Sequence, residues 1–320
     1  MSLVDSYGRP LTHLRISINS SCNYNCFYCH LEGIEKVDDL LTPSEIGIIV
    51  HVASNLGIRK YKLTGGEPLL RSDVVEVVKE IASVKPLDLG MTTNGYYLEN
   101  LASKLAEVGL MRVNISLPSL NPNRFRFITG INGLDKVLRG IKAAIDVGLN
   151  PIKINYVVLK GINDDEFWNI VEYTRSIGAI LQVIELEPIG VPRDIFTKYY
   201  ISISTFENMI KERVIRKNIR YSLHARPIYT LDNGAIIEFV KWFCNPEFCM
   251  HCTRLRLTPD GKLKTCIISG GEVDLKHALR PIPKPYLIRE LIIKANYLRK
   301  PYNKLNYLNY YSLIKQVMNT

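Results

Sequence analysis

Six times between residue 14 and about residue 215, a short run of β-forming residues is followed by a longer segment with helical periodicity. The strand-like runs are "LRISI" (14–18), "KYKLT" (60–64), "LDLGMTTN" (87–94), "MRVNISL" (111–117), "IKINYVVLKG" (152–161) and "AILQVIELEP" (179–188). Their partners begin with "PSEIGIIVHVASNLG", where Pro43 suits an early helical position and Gly57 a stop. In "SDVVEVVKEIASV" Ser72 is a natural N-cap, and the last helical segment is "STFENMIKERVI" (204–215). Each helical segment is long enough for a right-handed crossover between parallel strands. Six units are too few to close an eight-stranded barrel. The pattern therefore predicts an α/β fold, a partial open (β/α)6 TIM-like barrel, with function on the loops after the strands' carboxyl ends.

After about residue 223 the rhythm changes. "RPIYTLDNGAIIEFV" reads as a hairpin around Asp232-Asn233-Gly234, and "RLRLTPDGKLKTC" as a second around Pro259-Asp260-Gly261. The expected domains are 1–223, a barrel; 224–279, a hairpin module; and 280–320, a basic, Tyr-rich helical tail. That tail holds eight Lys/Arg and one acid, so it carries +7 of the net +10. Bulk charge therefore says little about a substrate. The tail reads as a solvated basic face, and nucleic acid is not an expected partner. "MSLVDSYGRP" has an acid where a leader needs an apolar run, and no stretch approaches ~18 uninterrupted apolar residues. The expectation is a cytoplasmic protein with no membrane partner.

All seven cysteines fall in two groups, 22, 26, 29 and 244, 249, 252, 266. In a reducing compartment clustered thiols point to metal or redox chemistry. Cys22, Cys26 and Cys29 follow the first strand directly, in "SSCNYNCFYCH". Structural zinc takes four closed ligands, and iron–sulfur cubes are commonly held by four cysteines. Three thiolates leave one position open for a small molecule. Two zinc alternatives stand beside this: a knuckle completed by His30, and a four-cysteine site adding Cys244 to Cys249, Cys252 and Cys266.

Cys-x3-Cys-x2-Cys with Tyr28 before the last cysteine resembles the signature of radical S-adenosylmethionine (SAM) enzymes. The resemblance implies a [4Fe-4S] cluster on Cys22, Cys26 and Cys29, with SAM on the open iron and cleaved there to a 5′-deoxyadenosyl radical. "TGGEP" (64–68) looks like that family's glycine turn, and Ser116 matches its strand-end serine. Tyr28, Gly66 and Ser116 are accordingly the implied SAM contacts, Gly65 and Gly66 allowing close backbone approach. Glu67 is read as a support for the loop.

"CMHCTRLRLTPDGKLKTC" is similar to the carboxy-terminal motif of one branch, the GTP 3′,8-cyclases of molybdenum cofactor biosynthesis. That resemblance implies a second [4Fe-4S] cluster on Cys249, Cys252 and Cys266, and GTP as substrate. Arg15, Lys62, Thr93, Lys153, Arg254, Leu255 and Arg256 match its GTP contacts, Arg254 and Arg256 being the candidate catalytic pair. Arginine presents planar, permanently charged donors to a triphosphate, and lysine at 62 keeps the charge without the fork. An unidentified reductant protein and a downstream cyclic pyranopterin monophosphate synthase are the implied partners; the oligomeric state stays open, a homodimer included. The chain departs from the family at Gln182, where bacterial members have arginine, at Glu187, where they place methionine, at Pro118, and in ending "VMNT" instead of Gly-Gly. A peptide-modifying radical SAM maturase and a zinc-holding RNA-binding protein are the alternatives.

Overall fold

The computed structural model describes residues 3–242, 245–268 and 271–301. Cys244 and residues 302–320, the chain end included, lie outside the described residues. The expected strands are β1 (His13–Ser17), β2 (Lys60–Thr64), β3 (Asp88–Thr93), β4 (Arg112–Ser116), β5 (Ile152–Val157) and β6 (Ile180–Ile184). They pair in that order and all in parallel.

Helices α1 (Pro43–Asn55), α2 (Val74–Ala82) and α3 (Leu98–Glu107) cover the first three crossovers. The fourth carries α4 (Pro122–Thr129) and α5 (Leu134–Asp146), where the sequence predicts one helix. The additional helix has its own punctuation. Asn121 accepts the N–H groups of Asn123 and Arg124, Pro122 follows, and Gly130 closes it at φ +81°. After α6 (Phe167–Ser176) the last crossover again has two helices, α7 (Arg193–Tyr199) and α8 (Ser204–Ile210).

Two local expectations are corrected. Ser72 is exposed and caps nothing; Asp73 is the residue at the cap position of α2, and it makes no side-chain cap bond. Its carboxylate is taken by Arg71, which also donates to the carbonyls of Ile18 (2.8 Å) and Leu41 (2.7 Å). The segment 204–215 is not all helix either. α8 ends at Ile210, and Val214 opens β7 (Val214–Arg220), paired antiparallel with β8 (Arg226–Leu231). β7 is exposed through most of its length, so "VIRKNIR" lacks the apolar alternation that marks a half-buried strand.

Both expected hairpins form, but at opposite ends of one sheet. β9 (Ile236–Val240) pairs antiparallel with β8 and parallel with β6. β10 (Arg254–Leu257) pairs parallel with β1 and antiparallel with β11 (Lys262–Lys264), which β12 (Glu272–Asp274) follows. The order of the twelve strands is β12-β11-β10-β1-β2-β3-β4-β5-β6-β9-β8-β7. Helix α9 (Pro246–Met250) lies in the loop between β9 and β10, and α10 (Lys276–Leu279) and α11 (Pro285–Tyr297) follow β12. Ile288, Ile292 and Ala295 of α11 join the main core. Arg280 is paired with Asp39 and Glu45, and Arg299 is buried, so these two charges of the tail face protein. No helix among the described residues is long and apolar enough to cross a membrane.

The contrast at the two helix starts is testable. Thr42 and Glu45 form a reciprocal capping box on α1. Thr42→Ala is expected to cost about 1 kcal/mol in urea unfolding. Ser72→Ala is expected to stay within about 0.5 kcal/mol of the parent.

Candidate active site

Period-two alternation on the strands places charge inside and hydrocarbon outside. Leu14 and Ile16 of β1 and Leu255 and Leu257 of β10 are in the hydrophobic core, while His13, Arg15, Arg254 and Arg256 line a cavity of about 340 Å³. Lys60 and Lys62 of β2, Asn114 of β4 and Lys153 of β5 continue the lining. Barrel interiors are ordinarily filled by branched apolar side chains. Here long polar side chains replace them and leave space. Residues from both ends of the strand order, Arg226 and Arg254 among them, line the same cavity, so the sheet curls around it.

Register lines the cations up. Arg256 sits opposite Arg15, and Arg15 opposite Lys62. Glu32 enters this row from the loop after the first cysteine trio. Its two carboxylate oxygens take Arg15 and, at 2.7 Å, Arg256, while Thr64 donates at 3.0 Å. Burial works to raise this carboxyl, but Arg15 and Arg256 hold it well below the ordinary carboxylate range. Leu31 and Glu32 reach that position with φ of 49° and 53°, a left-handed pair that non-glycine residues seldom adopt.

Across the cavity Glu238 of β9 is the counterpart. Its Oε2 binds Lys153 and accepts from Gln182 at 3.0 Å, and Oε1 lies 3.3 Å from Arg220 and 3.5 Å from Arg226. Burial opposes ionisation of Glu238, yet Lys153, Arg226 and Arg220 together hold the carboxyl low. Gln182 thus extends a network of cations although it carries no charge itself. Lys62 and Arg254 are pushed well below their ordinary values, by burial first and then by neighbouring arginines.

The first trio occupies the loop after β1. The backbone N–H of Tyr24 points at Cys22 Sγ and that of Leu31 at Cys29 Sγ, each at 3.4 Å, and Cys29 N–H donates to Cys26 O at 3.0 Å. Burial, then the Cys29 and Cys22 thiols, pushes Cys26 up to about 12. His30 Nδ1 accepts the Glu32 N–H at 2.9 Å, so that nitrogen is already engaged.

The glycine turn is locked onto the stem of this loop. Gly66 N–H donates to Asn19 O and Glu67 N–H to Ser21 O, and Asn19 returns a bond to Glu67 O at 2.7 Å. A Cβ on Gly66 would stand 2.2 Å from Ser21 O. The close approach that requires glycine here is therefore to the chain's own backbone. The Glu67 carboxylate accepts from Leu69 N–H, Thr93 Oγ1 and Asn94 N–H, and burial outweighs these donors to raise it to about 7. Thr93 thus spends its hydroxyl on Glu67 at 2.6 Å. Tyr28, Gly66, Thr93 and Ser116 all line the cavity; Leu255 is fully buried in the core and does not.

The second trio is at the other end of β1. Because β10 runs parallel to β1 with Arg254 opposite His13, Cys249 and Cys252 lie beside the strand's amino end. Thr12 and His13 N–H both donate to Thr253 O at 3.0 Å. The expectation that the site would gather at the carboxyl ends is corrected for this half: pairing with the first strand carries it to the amino ends. Burial, then the thiols of Cys266 and Cys252, pushes Cys249 up to about 12. Among the described residues no three His, Cys, Asp or Glu side chains close on a point as a single ion needs.

Residues the sequence did not single out complete the site. Arg220 lies beyond the segment read as the last helix and Arg226 at a hairpin start, and Glu32 and Glu238 counter the cations. Only Glu32 had a local signal, its place three residues after Cys29.

The radical SAM superfamily model matches residues 16–174, and the model "Molybdenum Cofactor Synthesis C" matches residues 179–305. A "Probable GTP 3′,8-cyclase" of Methanocaldococcus jannaschii is 44% identical over 94% of this chain and 99% of that protein. One of Thermococcus kodakarensis is 45% identical over 94% and 100%. Among solved structures, Streptococcus suis SuiB bound to S-adenosylmethionine matches with a TM-score of 0.61 at 14% identity, covering 91% of this chain and 76% of that one, a likeness of fold. The chain therefore belongs to the radical SAM superfamily and, within it, to the family of these archaeal probable GTP 3′,8-cyclases.

Proposed function

We propose that this chain cyclises GTP to 3′,8-cyclo-7,8-dihydro-GTP by radical SAM chemistry, the first step of molybdenum cofactor biosynthesis. The observation that carries the reading is a single cavity with a row of buried cations, lined by the first cysteine trio and, toward the amino end of β1, by Phe248, Arg254 and Ile267, chain neighbours of the second trio. The names of the archaeal relatives support it.

The donor sets suit iron–sulfur cubes. Each trio is all sulfur, with no disulfide between its members. Cys22, Cys26 and Cys29 would hold one cube and Cys249, Cys252 and Cys266 the other, each lacking one protein ligand. Held there, the first cube and SAM would supply radical chemistry for hydrogen abstraction from the ribose. In this reading residues 1–223 hold the SAM half, 224–279 carry the second cluster, and 280–320 remain the basic, Tyr-rich tail.

The side chains bind, orient and exclude water. Arg15, Lys62, Lys153, Arg254 and Arg256 present fixed donors to a triphosphate, with no reorganisation left to make at the moment of reaction. Tyr24, Tyr28, Trp242 and Phe248 supply aromatic wall to the cavity, which protects a carbon-centred radical from solvent. Glu67, tied to three donors, keeps the glycine turn at its height.

Anaerobic incubation of cluster-reconstituted protein with SAM, reductant and GTP tests the reading. A nucleotide of unchanged mass should accumulate with 5′-deoxyadenosine, and the protein should carry about eight irons per chain; a colourless zinc protein, or no new nucleotide, overturns it. Cys26→Ser is expected to abolish 5′-deoxyadenosine formation measured by chromatography. Arg256→Ala removes one charge-assisted contact, which corresponds to roughly 10- to 100-fold in GTP turnover. Slow SAM cleavage uncoupled from GTP should persist in that variant.

A further inference from the structure

Outside the cavity, a cluster of buried charge lies where the chain's early residues meet the end of α11. Asp5, Arg9 and Arg299 are 7%, 5% and 2% exposed. Arg9 Nε donates to Asp5 Oδ2 at 2.8 Å, and Arg299 Nη1 lies 3.3 Å from the same oxygen. The other carboxylate oxygen is held by the N–H groups of Tyr7 and Arg9. One carboxylate thus stands against two guanidiniums, and one positive charge is left over.

Both guanidiniums then reach the second cysteine loop. Arg9 Nη1 donates to Cys249 O at 2.9 Å, and Arg299 Nη2 donates to Cys252 O. These contacts span 240 and 47 residues of sequence and tie the early chain and the end of α11 to the second cysteine loop. Arg9 Nη2 also fastens Lys300 O at 2.8 Å, and Asn296 ties α11 back to Val4 O at 3.1 Å. A guanidinium this deep is costly unless its charge meets an anion. Asp5 answers one of the two, and the groups on the far side of their hydrogen bonds are cluster-ligand residues.

Resting on the reading that Cys249, Cys252 and Cys266 hold a [4Fe-4S] cluster, we infer that Arg9 and Arg299 are positioning residues for that cluster. They fix the carbonyls of two ligand residues and set one uncompensated positive charge beside an anionic centre. Nearby positive charge favours the more negative, one-electron-reduced state, so the pair raises the cluster's midpoint potential. Asp5 works in the opposite direction. A residue that merely braced the loop would have no such sign.

The test uses the full chain with Cys22, Cys26 and Cys29 all replaced by Ala, reconstituted anaerobically, so that only the second cluster remains. Its midpoint is read by redox titration with electron paramagnetic resonance. Arg9→Met and Arg299→Met are each expected to shift the midpoint to more negative values, and Asp5→Asn to more positive ones. Arg299→Lys, which keeps the charge and loses the fork, is expected to stay near the parent midpoint while broadening the spectrum. A cluster retained at an unchanged midpoint in both Met variants overturns the inference and leaves the two-cluster reading standing. No iron in the parent triple variant overturns both. If Arg299→Met does not fold, Arg9→Met and Asp5→Asn still give opposite signs or fail to.

Discussion

The parallel pairing of β10 with β1 is the constraint on which the rest of the molecule turns. Four register pairs, from Arg254 opposite His13 to Leu257 opposite Ile16, join residues about 240 positions apart in the chain. Through them Arg256 comes level with Arg15 and Lys62, and the second cysteine loop comes to the amino end of the strand whose carboxyl end feeds the first. The strand between them is five residues long, about 17 Å at the usual rise. Any slip of one residue would turn Arg254 and Arg256 into the hydrocarbon layer and Leu255 into the cavity.

A cavity walled by arginine and lysine needs internal anions to exist in a folded chain at all. Glu32 and Glu238 supply them from opposite sides, one from a loop and one from a strand, and both are held ionised against the effect of burial. Each carboxylate serves more cations than it can neutralise: two at Glu32, three at Glu238. The surplus is the physical content of an affinity for polyanions. Asp5 repeats the arrangement on a smaller scale near the second trio, with two arginines on one carboxylate.

Much of this was legible in the chain itself. The six strand–helix units, both hairpins with their Asn-Gly and Asp-Gly turns, and the two cysteine trios lie in local patterns of period, turn chemistry and spacing. The alternation of "HLRIS", "KYKLT" and "RLRL" also marked which residues share a face, though not that the polar face would be the inner one. What escaped were features decided by partners distant in sequence. β7 is exposed along most of its length, without apolar alternation, and becomes a strand by pairing with β8. Glu238 and Arg226 read as ordinary hairpin residues until the sheet curls. Arg299, in a stretch that looks like a solvated basic tail, is buried because Asp5 and Cys252 O wait for it nearly 300 and 47 residues upstream.

Glu32 is three positions beyond Cys29, on the same loop, and its carboxylate already occupies the guanidiniums of Arg15 and Arg256. Entry of an anion is consequently an exchange rather than an addition. A single monovalent anion offers Arg15 and Arg256 nothing they lack, and Lys62 stands next in the row, opposite Arg15. The contacts of Glu32 with both guanidiniums, and with Thr64, are what tie the loop of the first cysteine trio to the row of cations on the sheet.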